Sequence, residues 1–196
     1  MYKNGVIIQD SSAPAFGLTK FYGKYLGVNS FYTDPLAKIK NQECVELSDK
    51  IFHKFQDGYY TMLEFVSDPD LLFDYLMECK KINVEVRVLQ IESDYSEEIC
   101  EYVFPKINLI GYEVCEIPFD SQIITDFDWY VPLHRFYDRL NEHGLFNSIN
   151  HALEFKEAYQ YECQNDAIGD GDIDIFVCKI SEVDIEAFLT NYLRSG

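Results

Sequence analysis

The chain is 196 residues long, 47% of them apolar and 16% aromatic, and it carries a formal net charge of −18 at pH 7. Such a composition excludes a disordered chain, and the length is sufficient to bury a sizeable core. No apolar run approaches the roughly 20 residues that cross a bilayer, and the first residues lack the apolar stretch of a signal peptide, so we expect a cytoplasmic protein.

The N-terminal part of the chain predicts a strand and a helix. Residues 1–9, MYKNGVIIQ, indicate a short strand. Asp34 and Pro35 favour a helix start, because Asp caps helices and Pro is tolerated in the first turn. Apolar residues then recur at helical spacing as far as Asp57, where Gly58 ends the pattern.

The centre of the chain predicts a strand–helix–strand unit. Residues 58–67 are rich in β-forming side chains, 68–81 form a helix opened by Asp-Pro, and 82–93 alternate as a strand. The connection is long enough to hold a helix, so we predict a βαβ-like centre over about 59–92.

The rest of the chain continues the alternation without a linker or a repeat. This order predicts an α/β or α+β fold, a mixed sheet with helices packed on it, in a single globular domain over residues 1–196. The later elements are a short helix over 94–104, a strand over 107–119, a helix over 129–143, a helix from Ser148 to about Cys163, a strand over 173–180 and a helix from Ser181 with Asp184 in a capping box.

The charge is unevenly distributed along this domain. Residues 1–57 are near-neutral, with seven lysines and six acidic residues, whereas residues 58–196 are strongly acidic, with nine basic and 28 acidic residues. Phosphate binding depends on Lys and Arg, so this balance disfavours nucleic acid and anionic membranes as partners. A basic protein is the expected partner, because a negative surface steers it into contact.

The cysteines predict buried free thiols, since they are widely spread and none forms a C-x-x-C pair. The six cysteines are Cys44, Cys79, Cys100, Cys115, Cys163 and Cys178. The sequence contains no motif that predicts a cofactor, and none is expected.

An acidic turn, NDAIGDGDIDIF, lies at residues 165–176. Neither register of a calcium loop fits it, because the sixth and twelfth positions do not both carry the required Gly and Glu. Gly and Asp instead favour a plain turn before a strand. If a cation bound anywhere, the ligands would be Asp166, Asp170, Asp172 and Asp174.

Catalytic signatures are missing from the sequence. The four histidines are His53, His134, His143 and His151, and they form no H-E-x-x-H or H-x-H pattern. There is no G-x-S-x-G and no Gly-rich phosphate loop, and acidic neighbours of Cys100 oppose thiolate formation. The sequence therefore favours a protein without catalytic residues over an enzyme.

Acidic residues stand beside aromatic residues repeatedly, as in DFDWY, FDYLMEC and EFKEAYQYE. Aromatic side chains supply much of the energy of interfaces, and carboxylates steer a basic partner. The preferred contact patch comprises Asp126, Asp128, Trp129, Tyr130, Asp138 and Glu142. The second comprises Asp94, Tyr95, Glu97, Glu98 and Glu101.

This acidic, aromatic profile is similar in kind to that of the inhibitors that bacteria make against their own toxins. The resemblance implies an immunity protein, one that blocks a basic partner such as a nuclease. One alternative is a metal-assisted hydrolase that uses the acidic turn at 166–174 together with His151. The other is a structural or adaptor subunit whose charge serves solubility.

Overall fold

The computed structural model describes residues 1–10, 46, 52–54, 61–63, 66–94, 100–116, 120–121, 131–165 and 174–195. Within them, the strands are β1 (Tyr2–Asp10), β2 (Phe52–Lys54), β3 (Thr61–Leu63), β4 (Val86–Ser93), β5 (Lys106–Glu116), β6 (Asp120–Ser121) and β7 (Ile175–Val183). The helices are α1 (Pro69–Lys81), α2 (Ile149–Gln164) and α3 (Ile185–Ser195), with a 3₁₀-helix at Val131–Arg139.

The fold is α+β, which confirms one of the two predicted classes. Four principal strands and the two-residue β6 form a sheet in the order β1-β4-β7-β5-β6, and helices pack on it. The described pairs β1–β4 and β5–β6 are antiparallel.

The predicted strand–helix–strand centre is present as β3, α1 and β4. Its two strands are not neighbours in one sheet, because β3 pairs with β2 in a separate two-stranded sheet. The N-terminal strand β1 takes the place beside β4, with Ile8 opposite Val88 and Val6 opposite Gln90.

Within the described residues, the chain divides into two compact units. The first unit contains residues 1–10, 46, 52–54, 61–63, 66–94, 100–109 and 181–195, and the second contains 110–116, 120–121, 131–165 and 174–180. The division by charge at residue 57 and the single domain over 1–196 stay predictions.

The core of the first unit lies between the helices α1 and α3 and one face of β1 and β4. Antiparallel partners point to the same face of a sheet, so Val6, Ile8 and Val88 share one side. The main helical contributors to this core are Leu72, Tyr75, Leu76 and Cys79 from α1 and Phe188 and Leu189 from α3, all buried.

The second unit is built round an aromatic cluster. Phe136 of the 3₁₀-helix lies edge-on to Phe155 of α2, with ring centroids 5.3 Å apart, and Phe146 lies 5.3 Å from Phe155. Phe146 also exchanges backbone hydrogen bonds of 2.8 and 2.9 Å with Tyr112 of β5. These contacts fix the 3₁₀-helix, α2 and β5 to one another.

Asn141 organises the turn that leads to Phe146. Its side chain donates to the Ile110 carbonyl at 2.8 Å and accepts from the His143 and Leu145 amides at 2.9 and 3.2 Å. Gly144 in this turn has φ 74°, a left-handed conformation that glycine adopts without steric cost.

Several predicted helix boundaries are wrong. Residues 100–105 are not helical, so the helix predicted over 94–104 does not extend through them. The helix predicted over 129–143 is a 3₁₀-helix that ends at Arg139, because Asn141 closes a turn there instead. The last helix begins at Ile185 rather than Ser181, since β7 continues to Val183 and Asp184 caps the helix.

Candidate functional site

The first unit carries a surface on which carboxylates and aromatic rings meet. We call it the acidic–aromatic face and define it by Asp68, Asp70, Phe73, Asp74 and Tyr192. Asp68, Asp70 and Asp74 are exposed, whereas Phe73 and Tyr192 are half-buried against the core of the unit.

The start of α1 positions the three carboxylates. Asp68 is the N-cap, and its Oδ1 accepts a hydrogen bond of 2.9 Å from the Asp70 amide. Pro69 fits the first helical position, where no amide proton is needed. Asp70 and Asp74 lie four residues apart and so project from the same side of the helix. The helix dipole favours acidic residues in the first turn, which accounts for Asp70. Asp74 lies beyond the first turn, so the dipole does not account for it.

Tyr192 reaches this surface from α3. Its hydroxyl donates a hydrogen bond of 2.6 Å to Asp70 Oδ1. Its ring stacks on Phe73, with centroids 4.4 Å apart and planes inclined by 21°. Two independent contacts therefore fix the tyrosine, and the face is ordered before any partner arrives.

The carboxylates act on the tyrosine electrostatically. The hydrogen bond to Asp70 raises the pKa of Tyr192 to about 12; partial burial and the nearby charges of Asp70, Asp74 and Asp68 act in the same direction. Ionisation would place a second negative charge against Asp70. The hydroxyl therefore stays protonated, and keeps donating its hydrogen bond, throughout the neutral range.

Chemically, this arrangement suits a cation. Carboxylates accept charge-assisted hydrogen bonds from guanidinium or ammonium groups, and aromatic faces attract the same groups. Throughout the part of the chain that the structure describes, no group of three or more His, Cys, Asp and Glu side chains could hold a metal ion.

The preferred patch of the sequence analysis is described only in part. Asp138, in the 3₁₀-helix, and Glu142, in the turn after it, are both exposed and belong to the second unit. Asp126, Asp128, Trp129 and Tyr130 lie outside the described residues.

The second patch and the acidic turn are likewise described only in part. Asp94 and Glu101 are exposed residues of the first unit, and Asp174 is exposed just before β7. The remaining residues of both sites, Tyr95, Glu97, Glu98, Asp166, Asp170 and Asp172, lie outside the described residues. All of these positions stay predictions.

The helix predicted over 129–143 would contain both His134 and His143. The structure places only His134 in the 3₁₀-helix, which ends before His143, so the two do not share a helix. The ring of His134 lies 5.1 Å from that of Tyr137, and His151 occupies the first turn of α2. His53 lies in β2.

The predicted buried thiols are confirmed for five cysteines that are buried and form no disulfide: Cys79, Cys100, Cys115, Cys163 and Cys178. Burial raises the pKa of the Cys100 thiol, and the neighbouring Glu101 adds to the rise. The effect of the acidic neighbour is visible in the sequence, whereas the larger effect of burial depends on the fold. Cys44 lies outside the described residues.

The acidic–aromatic face is not among the contact patches predicted from the sequence, although Asp74 lies in the acidic and aromatic stretch FDYLMEC. The carboxylate spacing of α1 is visible in the sequence, since Asp68, Asp70 and Asp74 surround the helix start. The contribution of Tyr192 is not visible, because 122 residues separate it from Asp70.

Within the described ranges, no helix combines the length and apolar character needed to span a membrane. No protein-family model, no curated protein and no solved structure matches this chain.

Proposed function

We propose that this protein is a non-catalytic binding protein that docks on a basic partner protein and blocks it, as an immunity protein or toxin inhibitor does. The observation that carries the proposal is the acidic–aromatic face, where Asp70 holds Tyr192 at 2.6 Å and Phe73 stacks on its ring. The net charge of −18 supplies the long-range attraction.

The protein would block a nuclease by competing with nucleic acid for the basic cleft of that nuclease. A nuclease binds its substrate through basic side chains that contact phosphates. A protein that pairs its carboxylates with those side chains occupies the same surface and excludes nucleic acid. The aromatic rings add contact area that a phosphate backbone does not supply, and thereby favour the inhibitor.

The first test measures binding of fluorescein-labelled oligo-arginine and oligo-lysine by fluorescence anisotropy. We expect oligo-arginine to bind more tightly, because guanidinium stacks on aromatic rings as well as pairing with carboxylates. Affinity for both probes should fall as NaCl is raised from about 0.05 to 0.5 M, since salt screens exposed charges.

Two charge-matched variants locate the binding surface. D70N/D74N removes two carboxylates of the acidic–aromatic face, and D138N/E142Q removes two from the patch preferred in the sequence analysis. We expect the first to weaken oligo-arginine binding about three- to tenfold and the second to weaken it less. Equal weakening, or no binding of either probe at low salt, contradicts docking through this face.

A second test uses the protein encoded by the gene adjacent to that of this chain. We expect a stable complex in a pull-down and a lower activity of that protein in the complex. D70N/D74N should reduce both effects together. Binding without loss of activity would contradict the blocking role.

A further inference from the structure

A groove in the first unit lies at the end of α1 remote from the acidic–aromatic face. It has a volume of about 210 Å³ and is bordered by the last turn of α1, the approach to β4 and the first turn of α3. Its apolar lining consists of Leu76, Cys79, Val84, Val86, Ile185 and Leu189.

The termination of α1 shapes this groove. The Asn83 amide donates to the Lys80 carbonyl at 3.3 Å, and the Val84 amide donates to the Cys79 carbonyl at 2.9 Å. Asn83 has φ 58°, the left-handed conformation of a Schellman motif. The motif turns the chain back along the helix, so Val84 and Val86 line the groove together with Leu76.

The rim of the groove is charged. Lys80 Nζ lies 3.4 Å from Glu186 Oε1, and both side chains are largely exposed. Glu85 is an exposed carboxylate on the same rim. Because Lys80 and Glu186 neutralise each other, Glu85 leaves the rim with an excess of negative charge.

The groove and the acidic–aromatic face belong to one helix pair. Tyr192 contacts Asp70 near the start of α1, and Glu186 contacts Lys80 near its end, so α1 and α3 run antiparallel. Ten residues of helix separate Asp70 from Lys80, which is about 15 Å. An extended peptide spans that distance with about five residues.

We infer that the groove receives one apolar side chain of the basic partner, from a segment that places an arginine on the acidic–aromatic face about five residues away. This inference rests on the proposed function and adds the anchor that fixes the register of the partner. Charge complementarity selects the occupant: the carboxylates at both ends of the helix pair favour a basic segment, and the apolar lining favours Leu, Ile, Met or Phe within it.

The test compares two fluorescein-labelled peptides that share an arginine pair and a glycine spacer. One carries leucine about five residues after the second arginine, and the other carries serine there. We expect the leucine peptide to bind about tenfold more tightly, because its side chain leaves water for the groove.

Variants assign the preference to the groove. I185Q replaces an apolar lining residue with a polar one of similar size and unchanged charge; we expect it to abolish the leucine preference and leave serine-peptide binding unchanged. L153Q makes the same kind of change on the exposed side of α2 and should keep the preference. A preference that persists in I185Q overturns the inference.

Amide chemical-shift mapping on the unmodified protein gives a readout that does not depend on variant folding. The leucine peptide should shift the amides of Val84, Val86 and Ile185, and the serine peptide should not. If both peptides bind equally and D70N/D74N weakens both, the groove inference is wrong and the proposed function stands. If neither peptide binds, both are wrong.

Discussion

At the scale of single residues, Tyr192 shows how a surface side chain can be fixed by its charge environment. Its hydroxyl points at Asp70, with Asp68 and Asp74 close enough to oppose ionisation. The same geometry that suits a cation penalises a phenolate. The ionisation of Tyr192 therefore reports on the acidic–aromatic face without any ligand.

We predict that Tyr192 titrates with a pKa of about 12, against an ordinary value of 10. In carbon-13 spectra of protein labelled at tyrosine Cζ, the resonance that Y192F removes should titrate with this pKa. D70N should lower the pKa of that resonance, because the hydrogen bond to the carboxylate is the largest cause of the shift. An unchanged pKa of this resonance in D70N would contradict the assignment.

The shifted pKa also predicts a pH dependence of stability. The folded pKa lies above the unfolded one, so the stabilisation from the protonated hydroxyl is fully present below pH 10 and is lost as the pH rises toward 12. Urea unfolding of the wild-type protein over this interval should show a steeper loss than unfolding of Y192F. Parallel curves would contradict the prediction.

Gly111 of β5 illustrates a residue required by close approach. A Cβ at this position would lie 2.7 Å from Leu145 Cβ and 3.0 Å from the Phe146 carbonyl oxygen. We predict that G111A lowers the free energy of unfolding by about 1–3 kcal/mol, because the turn that Asn141 holds cannot move away freely. Denaturant unfolding measures the change. An unaltered denaturation midpoint would show that the turn moves to accommodate the added methyl group, which would contradict the prediction.

At the scale of elements, the sequence predicts the central residues of helices and strands better than the residues at which they begin and end. Ser148 was predicted to begin a helix, and it does cap α2, accepting from the His151 amide at 3.3 Å. Ser181 carried a similar signal but lies in β7, because burial in the sheet outweighed capping there. Which of two competing signals prevails depends on tertiary packing that the local sequence does not contain.

The end of α1 provides a prediction at this scale. Asn83 was assigned to a strand over 82–93, yet it closes the helix with φ 58°. N83G and N83A both remove the amide side chain, but only alanine is strained in the left-handed region. We predict that the free energy of unfolding of N83A is about 1 kcal/mol lower than that of N83G. Equal stabilities would contradict the Schellman assignment.

At the scale of the whole molecule, composition and charge predict a class of partner but not a surface. The net charge of −18 and the acidic residues beside aromatic residues led to the prediction of an acidic docking protein, which stays a proposal. The location of the face was not predictable, since α1 and α3 meet only after folding. The groove was not predictable either, because its lining comes from segments around 76–86 and 185–189, which are far apart in the sequence.

The cysteines give a prediction for the whole fold. The five cysteines within the described residues are all buried, so we expect none of these five to react fast. We predict that native C44S does not react with Ellman's reagent on the timescale of mixing and that five thiols react once it is unfolded in guanidinium. A rapidly reacting thiol in native C44S would show that a described cysteine is accessible.

The bond between Asp70 and Tyr192 joins segments 122 residues apart, and this separation has a consequence during synthesis. While the ribosome is still adding the residues before α3, the emerging polypeptide already displays three carboxylates but lacks the ring that completes their surface. Under the proposed function, recognition of a target therefore requires a chain in which Tyr192 has been synthesised and packed against Asp70 and Phe73.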